Sequence, residues 1–285
     1  MAKVIWKILL DFLVLACVGL ALLFVTLWAQ PFERGYFEND MSIRLPFKQE
    51  SIHEGVLGGV GFAFMIAAIL ITEITRDCQG KNTGEKFLGQ SLIPGWMWES
   101  YTAIGVFTFG AACQQLTAAL TKHVIGRLRP HFYDLCRPTP SGTSQSSFGY
   151  IESFTCSNTN TSQLKNMRLS FPSAHSSFAM YTAVFFICYI QVKGKWRGSK
   201  LLRHGIQFAA ILAAWYVGLT RIQENYHHWG DVTAGFLIGA TYALLVVSST
   251  CEFRLRTKTK KVRSVVLGRT SATKCFTTTC ADAVA

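Results

Sequence analysis

The chain is poor in charge. Asp, Glu, Lys and Arg supply only 15% of its 285 residues, against roughly 25% in soluble domains. That shortage argues against an ordinary soluble protein. Acids are scarcer still, 16 against 28 cations, and no group of carboxylates is spaced to hold magnesium. The nine cysteines form no metal-site spacing, which excludes a zinc module. No small-x-small cleavage site follows the first apolar run, and that run is too long for the apolar part of a signal peptide, so it reads as a retained span. A KDEL-type retention signal is also lacking.

What remains is apolar, with hydrophobic residues making up 50% of the chain. Six runs have the roughly 20 residues that a bilayer crossing requires: about 8–28, 55–74, 99–121, 174–192, 204–220 and 229–250. The expectation is an all-α integral membrane protein, with residues 1–251 forming one six-span domain and 252–285 a basic, disordered cytoplasmic tail. A formal charge of +12 raises nucleic acid as a partner, but its distribution points to membrane topology. With both termini cytoplasmic, Lys and Arg outside the spans divide 18 inside to 10 outside, as the positive-inside rule favours. The segment from Lys193 to Arg203, with five cations and no acid, is the best single orientation marker. Membrane lipids are the implied surroundings and nucleic acid is not; a homo-oligomer is compatible with everything in the sequence.

The connection 131–169 then lies outside, where Cys136 and Cys156 are expected to pair and Asn160-Thr161-Ser162 forms an N-glycosylation sequon. It is rich in Ser, Thr and Pro and reads as irregular. Within the spans, Asp11 is expected to reach the interface or pair with Lys7, and Gly55, Gly58, Gly59 and Gly61 read as a helix-packing face.

Three short stretches carry chemistry. The third span ends in Lys122 to Pro130, KHVIGRLRP, where Lys122 and Arg129 are about two turns apart, roughly 10 Å along an axis, and Pro130 stops the helix. Before the fourth span comes Ser170 to Ser177, SFPSAHSS. With proline in the first turn, the amides of Ser173, Ala174 and His175 are expected to be open donors at a positive helix end, beside a hydroxyl and an imidazole. Between the fifth and sixth spans lies Thr220 to Asp231, TRIQENYHHWGD. Asp231 is spaced to accept a hydrogen bond from either His227 or His228 on a helix face, leaving the other ring nitrogen free as nucleophile or base; spacing does not choose between the two. Each stretch alone also reads as interfacial anchoring or serine capping. The topology, however, gathers them on one membrane face, at helix ends rather than at the midplane where a transporter would bind. Cations, helix-start amides and imidazoles that converge describe a phosphate site.

These blocks resemble those of the type 2 phosphatidate phosphatase superfamily, specifically the animal lipid phosphate phosphatases: K-x6-R-P, P-S-G-H and S-R-x5-H-x3-D. Lys122 to Pro130, Pro172 to His175 and Thr220 to Asp231 supply them in order, and the resemblance covers nearly all the chain but its termini. Ala174 stands where the family has glycine, and Thr220 where it has serine. The resemblance implies a helical-bundle phosphatase core without a required cofactor or metal, His227 as nucleophile with Asp231 as its partner, His175 as acid, and Lys122, Arg129, Ser173, Ala174 and Arg221 around the phosphate. It implies metal-independent hydrolysis of phosphatidate, lysophosphatidate, ceramide 1-phosphate or sphingosine 1-phosphate through a phosphohistidine, at the extracellular or lumenal membrane face; the plasma membrane is the expected location. The competing reading is a non-catalytic lipid-phosphate binder or transporter using the same cations.

Overall fold

The computed structural model describes residues 2–80, 86–88, 91–141, 149–194 and 199–248; the tail at 252–285 lies outside them. Six helices are long and apolar enough to cross a membrane. These are α1 (Ala2–Trp28), α2 (Glu54–Cys78), α3 (Gly95–Ile125), α6 (Ala174–Lys193), α7 (Lys200–Gln223) and α8 (Trp229–Ser248). Two short helices, α4 (Phe132–Cys136) and α5 (Thr161–Asn166), lie in the connection between α3 and α6. The chain divides into two units, Met1–Leu244, which carries the site, and Leu245–Ala285, of which only 245–248 are described.

The most enclosed helix is α6, which packs against α2, α3 and α7. It is apolar on all sides rather than along one stripe, the pattern of a helix with no solvent or lipid face. Its Tyr181 packs tilted and its Phe185 edge-on against Phe107 of α3, and Tyr181 donates to the Phe107 carbonyl at 2.8 Å. α1 packs on α3 and leaves most of its apolar surface exposed, as a lipid-facing helix must.

α8 meets α6 through glycine. A Cβ at Gly235 or Gly239 would strike the carbonyl oxygens of Ser173 or Ser177, so the pair, spaced by four, lets two backbones touch. The glycines of α2 behave otherwise. Gly61 packs on Phe178, but beyond Gly55, Gly58 and Gly59 there is open space, so the expected packing face reduces to one residue.

At the end of the bundle away from the three motif stretches, Lys193 is buried between Glu73 (2.7 Å) and Glu99 (2.6 Å), and Tyr189 donates to Glu73 at 2.7 Å. Buried charges persist only when paired, so this cluster ties α2, α3 and α6 together. One cation of the orientation marker is therefore spent inside the bundle. Asp11 is exposed and accepts from Tyr101 Oη at 3.2 Å, with no ion pair to Lys7 among the described residues.

The connection 131–169 is more ordered than its composition suggests. Phe132, Cys136, Ile151 and Met167 form a small apolar core with Tyr36, Ile43 and Leu128. Tyr36–Phe37 pairs with Tyr150–Ile151, Pro138–Pro140 pairs with Phe154–Cys156, and a disulfide joins Cys136 to Cys156. The aromatic residues scattered through this segment supply a core that its serines and threonines conceal. Asn160 is exposed and caps α5, its Oδ1 accepting from the Gln163 amide at 3.2 Å.

Gly239→Ala is expected to destabilise the bundle by about 1–3 kcal/mol through overpacking, read as a lower thermal midpoint in detergent. Gly59→Ala, which meets open space, should leave that midpoint unchanged or raise it.

Candidate active site

α3 stops earlier than its proline. Gly126 adopts φ 58° as the left-handed cap, its amide bonded to the Lys122 carbonyl, and a Cβ there would strike the Phe32 carbonyl. Only glycine meets both demands without strain. Lys122 is thus the last cation of the helix, whereas Arg127, Arg129 and Pro130 lie beyond it on an extended segment. The expected two-turn spacing of Lys122 and Arg129 on one helix is therefore not what brings them together. Arg129 is buried, with its backbone amide on the Met167 carbonyl and Nη2 on Asn166 Oδ1 at 2.7 Å. Its guanidinium lies 5.0 Å from the centre of the Tyr226 ring. Burial lowers its pKa to about 10, which leaves it fully cationic at neutral pH.

Asp231, in the first turn of α8, is fully buried. Its Oδ1 accepts from Arg127 Nη1 at 2.7 Å, and its Oδ2 from Ser170 Oγ at 2.5 Å and from the His228 amide at 3.0 Å. That last bond is one half of a capping box, an acid three residues inside the helix reaching back to the cap N–H. Of the two imidazoles, His228 Nδ1 is the nearer at 3.2 Å, and His227 Nδ1 stands off at 3.8 Å. The expected hydrogen bond between His227 and Asp231 is therefore replaced. His227 Nδ1 donates to the Ser170 carbonyl at 2.7 Å, while the hydroxyl of the same serine donates to Asp231, so Ser170 ties ring and carboxylate together. The consequence for the ring is the same: Nδ1 carries the proton and Nε2 is left as the free nitrogen. Burial, against the opposing effect of Asp231, lowers the His227 pKa to about 3, with Arg129 and Lys122 adding to the depression. It is a neutral imidazole.

Ser173 is the N-cap of α6, its hydroxyl accepting from the Ser176 amide and its own amide donating to the Asp231 carbonyl at 3.0 Å. Pro172 precedes the cap instead of opening the helix. The Ser173 hydroxyl, expected among the phosphate ligands, also accepts from Ser176 Oγ at 2.9 Å and so takes part in building the helix start; the amides of Ala174 and His175 remain open among the described residues. His175 Nε2 lies 3.0 Å from the Ile52 carbonyl and 3.1 Å from Glu50 Oε1.

Arg221, also expected around the phosphate, is paired with acids in this structure. Its guanidinium is fully buried, with Nη1 on Glu50 Oε1 (2.5 Å) and the Ile52 carbonyl (3.2 Å) and Nη2 on Glu224 Oε2 (2.8 Å). Two acids neutralise it, and it does not line the cavity described next.

That cavity, about 630 Å³, is lined at one end by Lys122, Arg129, Asn166, Ala174, His175, Tyr226, His227 and Glu50. From there it runs between α1, α2, α3 and α6, past Leu22, Leu57, Gly58, Phe62, Ala119, Ala112, Ala111 and Phe178 to Thr108. On α3 the positions 108, 111, 112, 115, 119 and 122 recur at helical spacing, so one face of small residues forms its floor. Lys122 Nζ makes no hydrogen bond or ion pair among the described residues, and His227 Nε2 and His175 Nδ1 make none either. Four of the expected residues with charge or imidazole, Lys122, Arg129, His175 and His227, therefore share one space.

The motif reading missed Arg127, Ser170, Asn166 and Glu50. The first two sit inside or beside the blocks, and an acid buried on α8 demands donors of their kind. Asn166 and Glu50 stand in connections with no pattern to mark them.

Six membrane-crossing helices that close at one end around cations and imidazoles define a class, the helical membrane enzymes that act on anions. The chain belongs to the PAP2 superfamily, whose family model matches residues 102–254. It is 38% identical over 272 residues to a putative phosphatidate phosphatase of Drosophila melanogaster, covering 90% of this chain and 72% of the relative. It is 36% identical to phospholipid phosphatase 1 of Rattus norvegicus, over 90% and 89% of the two chains, and 36% identical to phospholipid phosphatase 2 of Homo sapiens, over 86% and 83%. No solved structure matches the chain.

The depressed pKa of His227, and that of buried His131 at about 4, set a pH dependence. Between each folded value and the ordinary value near 6.5, the unfolded chain binds protons that the folded one excludes, so stability falls as pH drops below 6.5. Thermal midpoints in detergent should decline from pH 7 to pH 4, and less steeply in His131→Asn, which removes one of the excluded protons.

Proposed function

We propose that this chain hydrolyses phosphate monoesters of lipids, of the phosphatidate, lysophosphatidate, ceramide 1-phosphate and sphingosine 1-phosphate type, without metal and through a phosphohistidine. The phosphate enters the polar end of the cavity, where Lys122, Arg129 and the amides of Ala174 and His175 neutralise its oxygens. Such fixed donors and charges do most of the work in phosphoryl transfer. His227 Nε2 attacks phosphorus as the ester P–O bond breaks, and His175 gives its proton to the departing alkoxide. The phosphorylated ring is cationic; the Ser170 carbonyl accepts its Nδ1 proton, and the Asp231 carboxylate 3.8 Å away favours its charge. Water then attacks the phosphohistidine, His175 takes the water proton, and inorganic phosphate leaves with both rings restored.

The observation that carries this reading is the form of the cavity. Thr108 to Lys122 along α3 spans about 21 Å at 1.5 Å per residue, somewhat more than one leaflet of a hydrocarbon core about 30 Å thick. A headgroup held at Lys122 would leave its chain lying along the apolar part, an arrangement that a sugar phosphate has no use for. The charge asymmetry of the connections and the exposed sequon at Asn160 support an extracellular or lumenal site in a plasma-membrane protein with cytoplasmic termini.

The test is phosphate release from micellar phosphatidate in the presence of chelator. The natural chain should turn over. His227→Ala should release no phosphate and form no acid-labile phosphoprotein, and His175→Ala should lose at least about a hundredfold. Substrate binding without phosphate release by the natural chain would instead favour the binder or transporter, and full activity in His227→Ala would refute the assignment.

A further inference from the structure

The motif blocks contain no carboxylate for the second histidine, but the fold supplies one from elsewhere. Glu50, in the connection leading to α2, lines the cavity and holds Oε1 between His175 Nε2 (3.1 Å) and Arg221 Nη1 (2.5 Å). We propose that Glu50 is the positioning residue for the acid of the reaction: anchored by Arg221, it accepts a hydrogen bond from Nε2–H of His175 and turns Nδ1 toward the cavity. The inference rests on the function proposed above and assigns Arg221 a task there, to hold Glu50 from behind.

The two histidines have different partners, and the difference matches what each must do. His227 donates to a neutral carbonyl at 2.7 Å, and the Asp231 carboxylate stands off from the ring at 3.8 Å, beyond hydrogen-bond distance. That environment suits a ring that must be unprotonated to attack. His175 faces a carboxylate at 3.1 Å, which accepts from Nε2–H and holds the ring with its other nitrogen toward the cavity. Paired titratable groups with opposed surroundings mark the acid and the base of a reaction. Glu50 itself stays ionised: burial would raise its carboxyl, but the hydrogen bond from His175 and the charges of His175, Arg221 and Arg129 lower it. His53 Nδ1, at 3.8 Å from Oε2, adds a further cationic neighbour when protonated. The Ile52 carbonyl, 3.0 Å from the same Nε2 and 3.2 Å from Arg221 Nη1, shares the proton and fixes the geometry further.

A group that acts through the acid matters only where the leaving group needs a proton. The full chain in detergent is assayed for first-turnover release of the alcohol from phosphatidate, an alkyl ester, and from p-nitrophenyl phosphate, whose leaving group departs unprotonated. Glu50→Gln should slow the alkyl ester by about a hundredfold and the aryl ester by less than about threefold, with Glu50→Asp recovering part of the alkyl rate. Equal loss on both esters, or no loss on either, overturns the proposal. So does faster turnover of both with tighter inhibition by vanadate, which would make Glu50 a competing anion over the site. His175→Ala in the same assay separates the two levels. If it spares the alkyl ester, the acid assignment fails; if it alone loses the alkyl ester, only the role of Glu50 fails.

Discussion

Everything at the site end of the bundle depends on one buried carboxylate. Asp231 has no exposure, and an ionised acid removed from water costs several kcal/mol unless its lone pairs are filled. Here they are filled from three places in the chain: Arg127 beyond the end of α3, Ser170 ahead of α6, and His228 at the cap of α8. The carboxylate cannot keep all of them unless three helix ends meet. Its backbone carbonyl adds a fourth tie, accepting from the amide of Ser173 at the cap of α6. The acid therefore acts as the joint of the structure before it acts on any imidazole. The 3.8 Å separation from His227 goes with this, because Ser170 gives its hydroxyl to the carboxylate and its carbonyl to the ring.

The same demand for neutralisation sorts the cations into two kinds. Arg127 and Arg221 are held by acids at 2.7 and 2.5 Å, and they serve as struts. Lys122 has no acid within bonding distance among the described residues, and Arg129 is held only by a neutral amide and an aromatic face. These two leave positive charge unanswered inside a largely apolar space, where an anion is worth far more than it is in water. A phosphate would complete a charge balance that the protein leaves open. In this sense the site is defined less by the groups present than by the groups without a counter-charge.

Much of this was legible in the sequence, and the rest was hidden for identifiable reasons. The spans could be read because apolar runs are long and local; their ends moved by a few residues, where Gly126 and Ser173 act as caps. The gathering of Lys122, Arg129, His175 and His227 could be read because alternation of spans forces ends onto one face. What could not be read was which partner each group takes. Arg221 and Ser173 are conspicuous in the motifs yet point into the protein, since a buried side chain answers to whatever sits beside it in space. Glu50 lies 125 residues from His175 in sequence, and nothing local distinguishes it from Glu38 or Glu54. The groove was overlooked for another reason: Thr108, Ala111, Ala112, Gln115 and Ala119 are unremarkable singly, and their shared face matters only because α1 and α2 fail to fill it.

That unfilled face bears on how a soluble headgroup and an insoluble chain are handled together. A close-packed bundle leaves no space over its small residues, and at Gly235, Gly239 and Gly61 a neighbouring helix fills it. At Gly58 and Ala112 the cavity lies there instead, although the same helices α2 and α3 are in contact elsewhere along their length. Leaving such a space forfeits dispersion contacts that packed side chains would gain, and in a membrane the natural occupant of an apolar space is a hydrocarbon chain. The void and the uncompensated cations lie at opposite ends of one cavity. A molecule that satisfies both must be apolar along its length and anionic at its tip, which is the chemical description of a lipid phosphate. Neither end alone would make that argument, because snorkelling cations and internal voids each occur without function. Their continuity does.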